Sequence, residues 1–325
     1  MSRLLVYVTR PLIGSVLERL QRHVEVRMWN EENPVPRECL LEVVQDVDGL
    51  LSVSADRIDE TLLDRAKRLK VVSNAAVGFD NFDLTEMNKR KVIGTNTPGV
   101  LTETTADLTF GLLMATARRI AEGDRFVREG NWKGWTPSLM LGQDVYGSTL
   151  GIIGMGRIGE AVARRARGFD MEVLYHNRNR RPEAEEKLGC RYVSIQELLQ
   201  QSDFVVLLAP SSPENRKMIG MEQFRLMKPS TMFINASRGS NVDEDALGTA
   251  LQEKMIAAAG LDVFANEPIG RDHPLVKMDN VVVLPHIGSA TLKTRQKMQE
   301  LAVENLLAAL QGKRPPNMVN PEVWS

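Results

Sequence analysis

The chain has 325 residues, more than one hydrophobic core ordinarily serves, and its 43% hydrophobic and 26% charged residues are the balance of an ordinary globular protein. Its 41 basic and 42 acidic residues leave a net charge of −1, which argues against nucleic acid or a membrane surface as a charge-driven partner. Two cysteines distant in sequence, Cys39 and Cys190, exclude a disulfide framework and a cysteine zinc site, and no stretch approaches the roughly 18 apolar residues of a membrane span. The expected location is cytoplasmic.

In chain order, Leu4–Thr9, Val24–Trp29, Gly49–Val53, Lys70–Ala75 and Val92–Thr97 read as strands rich in Val and Leu, separated by helical spacing such as Glu60–Arg68. Alternating strands and helices predict a parallel sheet covered on both faces. One long helix is then expected from about Leu101 to Gly130, with Leu101, Leu108, Leu112 and Ala115 at helical spacing. The loop Gly130–Gly147 follows, irregular and partly apolar.

A second series begins at Thr149–Ile153 and continues through Glu172–His176, Arg191–Val193, Phe204–Ala209, Met232–Asn235, Ala258–Val263 and Val281–Pro285. Ala290–Gln311 reads as an amphipathic helix and Gly312–Ser325 as an extended tail. The predicted fold class is α/β, with two doubly wound parallel-sheet units that divide near residue 100.

Gly154-Met155-Gly156-Arg157-Ile158-Gly159 directly follows a predicted strand and opens a helical run. That context is what a dinucleotide requires. The first glycine makes the turn, the second admits the pyrophosphate, the third lets helix pack on strand, and the helix N-terminus offers free N–H groups. A glycine turn without a ligand and an adenosyl-methionine site are the competing readings. The next strand ends His176-Asn177-Arg178-Asn179-Arg180-Arg181, with no acidic residue to take the ribose 2′-hydroxyl. Asn177 does not repel a 2′-phosphate and Arg178 can grip one, so NADP is expected over NAD. The plainer reading is a solvated basic turn paired with Glu183, Glu185 and Glu186. Ala209 and Pro210, where the strand Phe204–Ala209 ends, and Ala236 join the candidate cofactor residues.

Three further segments sit just past predicted strands. In Asn235-Ala236-Ser237-Arg238-Gly239 the arginine can hold a carboxylate through two parallel hydrogen bonds, although a lone arginine is more often a surface ion pair. Gly260-Leu261-Asp262-Val263-Phe264 leads to Asn266-Glu267-Pro268, and Val281–Leu284 leads to Pro285-His286-Ile287-Gly288-Ser289-Ala290-Thr291. Of four histidines only His286 ends a buried-looking strand beside a glycine turn. Ketone reduction needs a proton donor at oxygen, which histidine supplies near neutral pH. Glu267 is the candidate to orient it.

In this order these motifs resemble the D-isomer-specific 2-hydroxyacid dehydrogenase family over nearly the whole chain. Within it, Asn74-Ala75-Ala76-Val77-Gly78-Phe79-Asp80-Asn81 and Thr97-Pro98-Gly99-Val100-Leu101-Thr102 are similar to the glyoxylate/hydroxypyruvate reductases, including bacterial 2-ketogluconate reductases. The resemblance implies that Arg238 binds the substrate carboxylate, that His286 is the acid/base and that Glu267 is its partner. It places N–H groups of Val77 and Gly78 on the carboxylate, Ser289 near the substrate, and Thr105 and Asp262 near the nicotinamide.

It also implies a flavodoxin-like substrate domain from residues 1–100 and 290–325, with an NAD(P)-binding domain, 101–289, inserted between. A homodimer follows, with Trp132, Trp135 and Leu139 at the interface or, more plainly, in the local core of their loop. Glu267 disfavours formate dehydrogenase, which carries glutamine there, and the segment after His286 differs from D-lactate dehydrogenase. The alternative function is a dinucleotide-sensing corepressor of the same superfamily. A methyltransferase leaves Arg238, Glu267 and His286 without a role.

Overall fold

In the computed structural model residues 3–324 are described, so Met1, Ser2 and Ser325, the outermost residues of the expected substrate domain, lie outside it. The chain divides into two compact units, Met1–Leu101 with Ala290–Ser325, and Thr102–Ser289.

The first unit holds β1 (Leu5–Val8), β2 (Glu25–Met28), β3 (Gly49–Ser52), β4 (Val71–Asn74) and β5 (Ile93–Thr95), all parallel, in the order β2-β1-β3-β4-β5. The inner Val- and Leu-rich strands form because both faces of the sheet are covered, whereas the edge strand β2 alternates exposed Glu25 and Arg27 with half-buried Val26 and Met28. On one face Leu50, Val72, Leu62 and Leu63 form a core. On the other, Val6, Val8 and Val71 meet Ala302, Val303 and Leu306 of the helix Leu292–Leu310. That helix starts at Thr291, whose side chain accepts the Thr294 N–H, the usual satisfaction of a free helix-end donor.

The expected extended tail is instead tied to the sheet edge. Met318 bridges Thr95 in antiparallel fashion, and the side chain of Asn320 accepts from Gly94 N–H at 2.8 Å and donates to Val92 O at 2.9 Å. Pro321–Trp324 then makes a short 3₁₀ turn.

The second unit holds β6 (Thr149–Ile153), β7 (Glu172–His176), β8 (Arg191–Tyr192), β9 (Phe204–Leu207), β10 (Met232–Asn235), β11 (Ala258–Leu261) and β12 (Val281–Val283). All are parallel, ordered β12-β11-β10-β9-β6-β7-β8. Strand order reverses between β6 and β9, which is where a doubly wound sheet opens a crevice for a ligand.

The single helix expected over Leu101–Gly130 is two, Thr102–Ala117 and Ile120–Arg128. The break comes from outside the helix. The Ala117 carbonyl accepts from Gln143 N–H at 2.9 Å, and Gly142 lies so close that a Cβ there would stand 2.3 Å from the same oxygen. Arg119 turns left-handed, at φ 52°, and its guanidinium pairs with Glu122. The first helix is packed closely on the sheet: a Cβ on Gly260 of β11 would lie 2.5 Å from Thr116 Oγ1.

Candidate active site

The glycine turn after β6 shows three distinct steric demands. Gly154 sits at φ +106°, and a Cβ there would stand 2.6 Å from Ala209 N, so the turn lies directly against the end of β9. A Cβ on Gly159 would meet Gly154 O at 2.5 Å, whereas one on Gly156 would meet nothing within 4 Å. The first and third glycines are thus needed by packing. The second faces open space at the start of the helix Arg157–Ala166, where the leading N–H groups have no partner within the helix. A dinucleotide pyrophosphate suits that cradle.

The Met155 side chain is fully buried in the core, and its main chain belongs to Asn177: Met155 N–H donates to Oδ1 at 2.6 Å and Met155 O accepts from Nδ2 at 3.2 Å. Asn177 therefore fastens the glycine turn from the end of β7, a role that sequence reading missed. Of the neighbouring arginines, Arg180 is paired with Glu185 and Arg181 with Glu160, while Arg178 is exposed. The basic turn thus pairs with Glu185, as its plainer reading expects, and with Glu160, which that reading did not include.

Past β9, Asn241, fully buried, donates to Ala209 O at 2.9 Å and Pro210 O at 3.4 Å and so holds that loop against the turn after β10. Its Oδ1 is buried without a partner among the described residues.

Arg238 is half-buried, and its backbone is set by Asn235, whose Oδ1 takes the Ser237 N–H at 3.0 Å and whose Nδ2 donates to Arg238 O at 3.1 Å. Arg238 Nη1 donates to Ser237 O at 2.8 Å. Gly239 next to it lies against the 264–265 main chain, where a Cβ would be 1.8 Å from Phe264 C. That contact brings the Arg238 turn onto the segment carrying Glu267.

β12 is a half-buried edge strand, less buried than its sequence suggested, and His286 lies three residues beyond it in the left-handed region, at φ 54°. Its Nδ1 is 2.7 Å from Glu267 Oε2, and the other carboxylate oxygen accepts Phe264 N–H at 2.9 Å. Burial pushes the Glu267 carboxyl up. The hydrogen bonds from His286 and Phe264, and the charges of His286 and Arg238, outweigh it and hold the group below its ordinary value.

Asp262, 2% exposed at the end of β11, accepts Ile287 N–H and Gly288 N–H at 2.8 Å each. Burial raises its carboxyl above the usual range against the pull of the Ile287 N–H, the His286 charge and the Gly288 N–H. Gly288 also faces Thr105: a Cβ there would lie 3.3 Å from both Thr105 Cγ2 and Asp262 Oδ2. Ser289 follows, half-buried.

Arg238, Glu267, His286, Asp262 and Thr105 all belong to the second unit. Val77 and Gly78 belong to the first, in the loop after β4. There Asn96 donates to Val77 O at 2.7 Å and Asn74 to Gly78 O at 2.9 Å. In a planar trans peptide the N–H points opposite the carbonyl, so the bond to Val77 O turns the Gly78 N–H the other way. Among the described residues there is no group of three or more His, Cys, Asp or Glu that could hold a metal, and no helix is long and apolar enough to cross a membrane.

Residues 110–288 match the family described as D-isomer specific 2-hydroxyacid dehydrogenase, NAD binding domain. The chain is 51% identical to a glyoxylate reductase of Korarchaeum cryptofilum over 98% of this chain and 96% of that protein. Among solved structures, a Thermus thermophilus protein superposes with a TM-score of 0.91 at 46% identity, covering 97% of this chain and 100% of the other. An NADPH-dependent glyoxylate/hydroxypyruvate reductase of Sinorhizobium meliloti, crystallised with NADP and malonate, superposes at 0.85 with 34% identity, covering 98% and 97%.

Proposed function

We propose, from the premise that the chain belongs to the D-isomer specific 2-hydroxyacid dehydrogenase family, that it is an NADP(H)-dependent reductase of small 2-keto acids, glyoxylate and hydroxypyruvate first. The observation that carries the reading is the His286–Glu267 pair, whose carboxylate also feels the charge of Arg238.

The Arg238 fork matches a carboxylate and polarises the carbonyl beside it. Glu267, held ionised through the neutral range, occupies His286 Nδ1 and stabilises the imidazolium, leaving Nε2 to donate to the keto oxygen. When bound, the dinucleotide supplies the hydride that reaches the keto carbon. His286 completes the hydroxyl with its proton, and in the reverse direction it takes that proton back. Asp262 fixes the two N–H groups after His286, which supports the left-handed backbone that aims the ring. Gly78 N–H is a donor of the kind that carboxylates accept. Gly154, Gly156, Gly159, Arg157 and Ile158 would cradle the pyrophosphate, with Ala209, Pro210 and Ala236 beside it and Thr105 towards the nicotinamide.

NADP over NAD is supported by Arg178 and by the lack of an acidic side chain at the end of β7. A homodimer is supported by exposed apolar side chains gathered in one stretch: Ile120, Val127, Trp132, Trp135, Leu141 and Tyr146. Leu139, half-buried in the same stretch, is proposed to join them. A cytoplasmic location accords with the two unpaired cysteines.

The test is a matrix of initial rates, NADPH and NADH each against glyoxylate, hydroxypyruvate, 2-keto-D-gluconate and pyruvate. NADPH-dependent reduction of glyoxylate and hydroxypyruvate is expected. Tight dinucleotide binding with no turnover of any keto acid would sink the reading in favour of a sensing protein.

A further inference from the structure

Tyr175 and Tyr192 are register partners on the parallel strands β7 and β8, with ring centroids 5.4 Å apart in an edge-to-face pair. Their hydroxyls both turn to the basic loop that leaves β7. Tyr192 donates to Asn177 O at 3.2 Å, and Tyr175 accepts Arg181 N–H at 2.8 Å while donating to Glu185 at 2.7 Å. The backbone from 177 to 181 is thus pinned at both ends by tyrosine oxygens.

The arginines in that span have different fates. Glu185 takes Arg180 through Nε at 2.8 Å and Nη2 at 2.7 Å, and the Arg180 guanidinium lies 6.0 Å from the Tyr192 ring centre. Arg181 Nη2 donates to Glu160 at 3.0 Å. Arg178, between the two pins, is exposed, and no hydrogen bond or ion pair to it occurs among the described residues. The network holding the pins is itself strongly polarised. Burial and the bond to Glu185 push the Tyr175 hydroxyl up to about 12, while Arg180 and then Tyr175 hold Glu185 down to about 2.

We infer that Tyr192 and Tyr175 are positioning residues for cofactor choice: they set the 177–181 backbone so that Arg178 alone is presented to a nucleoside 2′-phosphate. The inference rests on the NADP reading above. It differs from a general basic patch, because two of the three arginines are spent on glutamates and one is kept available. Glu214, whose carboxyl is held low mainly by Ser212 and in part by the Arg178 charge, is an opposing charge that a 2′-phosphate would compete with.

The hydroxyl of Tyr192 can be removed without changing ring packing, so Tyr192→Phe is the primary variant, with its melting temperature measured alongside. Calorimetric titration of the full chain with adenosine 2′,5′-bisphosphate and with adenosine 5′-monophosphate separates the phosphate contact from the rest of the site. Tyr192→Phe should weaken the bisphosphate about three- to tenfold, as loss of one neutral hydrogen bond does, and leave the monophosphate unchanged. In steady state KM for NADPH should rise by the same factor with kcat and KM for NADH unmoved.

In an Arg178→Ala background Tyr192→Phe should have no further effect on the bisphosphate, because the two act through one contact. Equal weakening of both ligands, no weakening, or additive losses in that background would overturn the inference. A wild-type chain that holds the bisphosphate no more tightly than the monophosphate would instead overturn the NADP reading, and the inference with it.

Discussion

Gly239 and Phe264 touch through their main chains: a single added methyl on Gly239 would lie 1.8 Å from the Phe264 carbonyl carbon. The neighbouring residues explain the closeness, since Arg238 precedes the glycine and the Phe264 N–H is bonded to Glu267. Gly239→Ala must force the two segments apart. The expected cost is about 1–3 kcal/mol of stability, as for overpacking of a tight contact. Activity should fall more steeply than the melting temperature, because Arg238 and Glu267 move relative to one another. Thermal melts with rate measurements on the folded fraction check this, and unchanged kinetics would contradict the coupling.

Glu267→Gln keeps an oxygen for Phe264 N–H and removes the charge beside His286. The imidazole then loses the carboxylate that orients its ring, so kcat for keto-acid reduction should fall by about tenfold or more, read from initial rates at neutral pH. Stability carries a second sign. The folded carboxyl lies below its ordinary 4.5, so it contributes stability that is present above that value and lost as pH falls through the folded one. Acid unfolding should accordingly be less steep in the glutamine variant, as read from denaturation midpoints between neutral and acid pH.

Arg238→Lys replaces a planar fork with a point charge. KM for glyoxylate should rise and kcat fall, with a combined loss on the order of a hundredfold in kcat/KM, roughly what a charged hydrogen-bonded contact supplies. Binding of the dinucleotide, followed by fluorescence, should stay as in wild type. An unchanged KM would remove Arg238 from the carboxylate.

Asn177→Ala unfastens both main-chain atoms of Met155. The glycine turn serves NADPH and NADH alike, so both should weaken by a similar factor, about five- to tenfold per kcal/mol-scale hydrogen-bond loss. A shift in the ratio of the two cofactors without a common loss would return Asn177 to the ribose.

All twelve strands were legible in the sequence. β4 and β9 are runs such as Val71-Val72-Ser73-Asn74 and Phe204-Val205-Val206-Leu207, buried throughout, and β-branched and aromatic runs between helical patterns have few other uses. The end of the helix at Ala117 was not legible, because its cause is a glycine far along the chain, at 142. The same holds for Asn177. Its neighbours in sequence suggest a ribose contact, whereas its partner is a backbone 22 residues earlier.

The glycine spacing and the residues past each strand end could be read because each bears on its immediate surroundings. The pairing of Glu267 with His286 is expected from their places after strands and from the resemblance, but its 2.7 Å approach depends on how β11 and β12 deliver two separate loops, which no local pattern states. The tyrosine pins escaped for a related reason. A tyrosine within an apolar strand signals core, and nothing local says where its hydroxyl points.

The arrangement of the first unit also sets a schedule for biosynthesis. Its five strands leave the ribosome early, yet the face bearing Val6, Val8 and Val71 is covered by Ala302, Val303 and Leu306, which are translated only after the whole second unit. The last strand of that sheet waits longer still for Met318 and Asn320. During elongation the residues that cover this face arrive only after the second unit, whereas the second unit is one continuous stretch that holds all its strands and can close upon itself first.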